Sequence, residues 1–173
     1  MSSEPLKPID PTIPTPSSFL GFNVGEDHRL VDWPDIVEYM ELLDACSNKI
    51  HSIEIGQTTE GNPFLLTFIS SPTNIANLKQ HKDTQHLLSD PRKLPRHRVA
   101  ELISSARVVV AITCSIHATE VGGTQMSLEL AYKMAASSSK SVQRILDNVI
   151  LILIPSLNPD GLIKVKRWYD RTK

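Results

Sequence analysis

Val108-Val109-Val110-Ala111-Ile112-Thr113-Cys114 is a continuous apolar run, and Ser115-Ile116-His117-Ala118-Thr119-Glu120 is the short polar stretch that follows it. The run, from Arg107, reads as a buried strand. Beyond the polar stretch, Val121, Thr124, Leu128, Ala131 and Ala135 recur at helical spacing, with Glu129 and Lys133 as an i,i+4 pair. Ser137-Ser138-Ser139 breaks that helix, and a short second one is expected over Ser141 to Asp147. Val149-Ile150-Leu151-Ile152-Leu153-Ile154 then reads as a strand covered on both faces. Strand, helix, strand in this order crosses over right-handedly and leaves the two strands parallel. Parallel strands end at the same edge. The loops after Cys114 and Pro155 should therefore emerge side by side, at the carboxyl edge where open α/β sheets bind ligands. One carries His117 and Glu120; the other is Ser156-Leu157-Asn158-Pro159-Asp160-Gly161. An imidazole and a carboxylate three residues apart at a strand-to-helix junction can close on one zinc ion, which takes nitrogen and oxygen ligands. Each also has a plainer reading: a hydrogen-bonded loop histidine, a glutamate complementing a helix dipole, and a β-turn over Asn158 to Gly161.

Outward from this core, Asp32 or Asp35 can cap a helix running to about Ser47, with Ile36, Met40, Leu43 and Cys46 as its apolar stripe. Ile50 to Gly56 alternates apolar and polar, a turn-rich stretch follows over Gln57 to Pro63, and Phe64 to Ile69 forms a second strand. The two should pair as an antiparallel hairpin. Helix is expected over Pro72 to Leu88, then a stretch broken by Pro91 and Pro95, then a short helix over Val99 to Ser104. Pro5, Pro8, Pro11 and Pro14 recur every third residue, a polyproline II period. Residues 1–18 are thus expected to be a Pro-rich extended arm and 19–173 a single domain.

With 173 residues, 40% hydrophobic and 21% charged, the chain suits one globular domain or a large part of one. A net charge of −1 points to neither nucleic acid nor an anionic membrane as partner. The basic runs Pro91 to Arg98 and Lys164 to Arg167 read as solvated surface. Two cysteines, Cys46 and Cys114, make no disulfide framework and read as small buried hydrophobes. The start lacks the order of a secretory signal, so the expected compartment is cytoplasmic as written, or secreted if a leader is missing. Oligomeric state is not legible.

Three segments together resemble a known family. Ser115 to Glu120 resembles the first zinc-binding segment of the zinc carboxypeptidases, the carboxypeptidase A-like peptidases. Ile154 to Gly161 is similar to that family's next recurring segment. Ile55-Gly56-Gln57-Thr58-Thr59-Glu60-Gly61-Asn62-Pro63 resembles its glycine-containing hairpin, where an arginine is commoner than Asn62. The resemblance spans about Asp32 to Lys173 and occurs in the family's order. It implies a three-layer α/β fold, a mixed sheet with helices on both faces, here the N-terminal portion and incomplete at the C-terminus. It implies Zn2+ as cofactor, with His117 and Glu120 as two of three metal ligands. Asn158, Pro159, Asp160 and Gly161 would shape the floor of the site in a structural role. The family's third ligand, a histidine, and its general base, a glutamate, lie downstream of any matching segment, so no residue is assigned as catalytic. His28, His51, His81, His86 and His97 match no ligand position, and Arg171 reads as a surface charge. The implied activity is a metallocarboxypeptidase acting on a peptide or protein C-terminus, with this chain inactive alone. The alternatives are an inactive pseudoenzyme or partner-binding fragment, and a metal-dependent deacylase of small acylated amino acids, which the hairpin and the Asn158 turn fit less well.

Overall fold

A computed structural model describes residues 12–90, 92 and 94–173. Residues 1–11, which carry most of the expected polyproline arm, lie outside them. From Ile13, whose side chain is in the core, the chain enters α1 (Pro16–Leu20), capped by the Thr15 side chain with Pro16 at its first position. The expected boundary near residue 19 therefore falls inside a helix.

Asp32 caps α2 (Trp33–Cys46) by accepting the Trp33 N–H at 2.8 Å, and Pro34 sits in its first turn. Trp33, Ile36, Tyr39, Met40 and Leu43 are buried along it. Tyr39 is accommodated because its hydroxyl donates to the Pro14 carbonyl at 2.9 Å. Cys46, expected on this stripe, is exposed. The helix stops there, with the Ser47 N–H bonded to the Leu43 carbonyl, and the chain has already turned toward the sheet.

Strands β1 (Ile50–Gln57) and β2 (Pro63–Ile69) form the expected antiparallel hairpin, with a bulge between Glu54 and Gly56. The long expected helix is split at Asn77 into α3 (Pro72–Ala76) and α4 (Leu78–Ser89). Next, α5 (Arg96–Ser105) starts directly after Pro95, three residues earlier than expected. Then follow β3 (Val108–Thr113), α6 (Val121–Ala136), α7 (Lys140–Asn148) and β4 (Val149–Ile154). The last element, α8 (Pro159–Thr172), is a helix where only a turn was expected. Asn158 is its N-cap and Pro159 its first residue, the pattern of a helix start rather than of a chain reversal.

The sheet order is β1-β2-β4-β3. β2 and β4 are antiparallel, while β3 and β4 are parallel and in register from Val108–Val149 to Thr113–Ile154. Leu65, Thr67 and Ile69 share one face with Leu151 and Leu153 and are sealed under α2 and α6. The opposite face is flanked by α4 and keeps an apolar groove of about 590 Å³, lined by Phe68, Leu78, Val109, Ile150 and Ile152 among others. β4 is therefore covered fully on one face and partly on the other. β3 is an edge strand with Val108, Val109 and Val110 exposed. No helix among the described residues is long and apolar enough to cross a membrane.

Candidate metal-binding edge

The parallel register of β3 and β4 ends both strands at one level, and the backbone locks the loops beyond them. The Cys114 N–H donates to the Ile154 carbonyl at 3.0 Å, and the Leu157 N–H donates to the Cys114 carbonyl at 2.9 Å. Asn158 extends the bond pattern. Its Oδ1 accepts the Gly161 N–H at 3.0 Å, capping α8, while its Nδ2 donates to the Ile116 carbonyl at 3.2 Å. The two loops expected to converge do so.

In the first loop the His117 Nδ1 lies 3.0 Å from Glu120 Oε1, and the His117 N–H donates to Glu120 Oε2 at 3.2 Å. The Glu120 N–H in turn donates to the His117 carbonyl at 3.0 Å. This one-turn ring brings the imidazole and the carboxylate together at the mouth of the edge, with both side chains mostly exposed. The hydrogen bond from the His117 side chain, followed by that from its backbone, holds the Glu120 carboxyl below its ordinary range. A carboxylate kept ionised is a competent metal ligand.

Chemically the pair fits two positions of a zinc site. Two ligand atoms at zinc bond lengths of about 2.0 Å on a tetrahedron lie roughly 3.3 Å apart, close to the observed 3.0 Å. Among the described residues no group of three or more His, Cys, Asp or Glu side chains gathers around one point. His28 sits beside the Tyr169 hydroxyl, His51 beside Asp44, and His81 faces the groove on the far side of the sheet. None of them joins His117 and Glu120.

The sequence carries no signal for the role of Ser115, and it marks Asp160 as structural without showing its partners. Ser115, at the head of the loop, is buried and has φ of +48°, a left-handed conformation uncommon outside glycine. Its hydroxyl donates to the Glu120 carbonyl at 2.5 Å and accepts the Thr124 N–H at 3.2 Å. Asp160, in the first turn of α8, reaches back to the β1–β2 turn: it accepts from the Thr58 hydroxyl at 2.5 Å, from Asn62 Nδ2 at 2.8 Å and from the Glu60 N–H at 3.1 Å. The Thr58 and Asn62 bonds hold its carboxyl below the ordinary range. Lys164 and Glu60 add an exposed ion pair alongside. A hollow of about 330 Å³ lies between this turn and the start of α8, lined by Gln57, Thr58, Phe64, Leu157 and Pro159 among others. Thus the hairpin is tied through Asp160 to α8, and α8 through Asn158 to the loop of His117.

A family model for the zinc carboxypeptidases matches residues 36–172. No curated protein sequence matches the chain. Among solved structures, the thrombin activatable fibrinolysis inhibitor is similar at a TM-score of 0.59 and 16% identity, over 87% of this chain and 32% of its own. Carboxypeptidase A from Helicoverpa armigera is similar at 0.57 and 16%, over 83% and 27%. A metallo-carboxypeptidase from Burkholderia cenocepacia follows at 0.52 and 17%, over 76% and 27%. At these identities the likeness speaks for the fold. The chain spans about a quarter to a third of the length of these structures.

Proposed function

The chain belongs to the zinc carboxypeptidase family, and from that premise we propose that it supplies part of the active site of a zinc-dependent metallocarboxypeptidase acting on peptide C-termini. One observation carries this reading: the imidazole and carboxylate of His117 and Glu120 held 3.0 Å apart where two sheet-edge loops converge. His117 through Nδ1 and Glu120 through its carboxylate are the residues that would hold the ion. A bound zinc ion would supply Lewis acidity toward a scissile carbonyl and toward water. This chain's own residues orient the pair. The His117 N–H steadies the carboxylate, Asn158 anchors the loop at Ile116, and Asp160 fixes α8 against the hairpin. Among the described residues no third His, Cys, Asp or Glu side chain gathers with the pair, and the proposal gives the chain a share of the site.

Titration with cobalt(II), followed by its visible absorption, tests the reading. The expected result is a cobalt signal that is lost in both His117→Ala and Glu120→Ala. An identical signal in the parent chain and both variants would remove the assignment.

A second reading, a partner-binding segment without catalysis, draws on β3. Among the described residues no strand pairs with its outer edge, which lies beside exposed Val108, Val109 and Val110, a surface suited to pairing with another strand.

A further inference from the structure

In α2, α7 and α8 the fourth helical residue sends its N–H to the carbonyl of the N-cap: Ile36 to Asp32, Gln143 to Ser139, Leu162 to Asn158. Each of those N-caps also has a side chain that accepts a first-turn N–H. The start of α6 is built differently. Its N-cap, Glu120, makes no side-chain cap bond, because both carboxylate oxygens face His117. The hydroxyl of Ser115 stands between the Glu120 carbonyl, to which it donates, and the Thr124 N–H, which it accepts. A side chain five residues upstream thus satisfies the fourth-residue amide and the N-cap carbonyl together. Its position demands φ of +48° at a non-glycine residue, a conformation that costs energy.

We propose that Ser115 is a positioning residue for the metal pair: its hydroxyl, inserted into the first turn of α6, replaces Glu120 as the helix cap and leaves the Glu120 carboxylate to His117 and a metal ion. Glutamate is a poor N-cap with a long side chain that can fold back onto first-turn amides. Without the serine, the open amides of α6 compete with His117 for the carboxylate. With it, they are satisfied in advance. The proposal rests on the metal reading of His117 and Glu120 given above.

Two substitutions separate this role from simple stabilisation. Ser115→Gly removes the hydroxyl and relieves the backbone, whereas Ser115→Ala removes the hydroxyl and keeps the strain. Global stability should therefore differ between the two, with glycine the more stable. Zinc affinity, measured with zinc ion alone by competition against a chromophoric chelator, should fall by the same factor of about ten in both. Amide hydrogen exchange at Thr124 in the metal-free chain should quicken about tenfold in both, the loss of one hydrogen bond's protection. Unchanged exchange at Thr124 would overturn the capping role. Faster exchange with zinc affinity equal to the parent's would leave Ser115 a helix cap only and overturn the positioning role. If instead the parent chain and His117→Ala hold zinc equally, the metal reading itself is what fails.

Discussion

A Cβ atom at Gly161 would lie 2.8 Å from the Cβ of Ala118 and 2.7 Å from the Asn158 amide nitrogen, distances at which something must shift. Ala118 sits between His117 and Glu120, so the close packing of the two loops is transmitted to the proposed ligands. Gly161→Ala should destabilise the chain by about 1–3 kcal/mol, the usual cost of overpacking, and should weaken zinc binding; urea unfolding beside a zinc titration reads both. A parent-like stability would mean the loops separate freely. Thr124 makes a contrasting case. Its side-chain oxygen is buried without a partner among the described residues, while the Glu120 carbonyl one turn back accepts the Ser115 hydroxyl. A buried hydroxyl without a partner costs roughly 1–3 kcal/mol, so the near-isosteric Thr124→Val should raise stability by about 1 kcal/mol in the same urea experiment. A loss of stability would show that the hydroxyl has a partner. The sequence places Gly161 beside the site but shows neither its close packing against Ala118 nor the burial of the Thr124 hydroxyl. Gly161 passes for the last position of a β-turn, and nothing marks Ser115 as left-handed, since the requirement comes from where the loop must go.

At the scale of elements, the strands lie where their apolar patterns put them, but burial does not follow throughout: β3, expected to be buried, is exposed at Val108, Val109 and Val110 because it lies at the sheet edge. The alternation of Ile50 to Gly56, the run Phe64 to Ile69 and the uniform Val149 to Ile154 each lie in the strand their pattern implies. The parallel pairing of β3 with β4 followed from the helix between them. α8 was not legible, because Asn-Pro-Asp-Gly satisfies a turn and a helix start equally well, and only the continuation to Thr172 decides. That helix start carries the tie to the hairpin through Asp160, which gives a pH dependence. The native environment lowers the Asp160 pKa. Its contribution to stability is therefore fully present above the ordinary carboxylate pKa, near pH 4, and is lost as pH falls through the lower native value. Asp160→Asn should be less stable than the parent at neutral pH, and the gap should close as pH falls below about 4. Thermal unfolding across pH 3 to 7 would show it, and a gap that stays constant would detach Asp160 from the hairpin.

For the whole molecule, the sealed face and the open edge have different consequences. Leu65, Ile69 and Leu153 are buried under α2 and α6, whereas β3 leaves a valine-rich edge uncovered. Such edges pair with other chains unless blocked by charge. Sedimentation should find concentration-dependent self-association that Val108→Lys reduces; a monomer at every concentration in both would mean the edge is protected. The same edge delivers the loop of His117 and Glu120, so fold and proposed chemistry meet there. The central claim is that these two side chains grip zinc as one unit. A double-mutant cycle of zinc affinity over His117→Ala, Glu120→Ala and the double variant tests it most directly. The account predicts that either single substitution removes nearly all the affinity that the double substitution removes. Additive losses, or a double variant that holds zinc as the parent does, would contradict it.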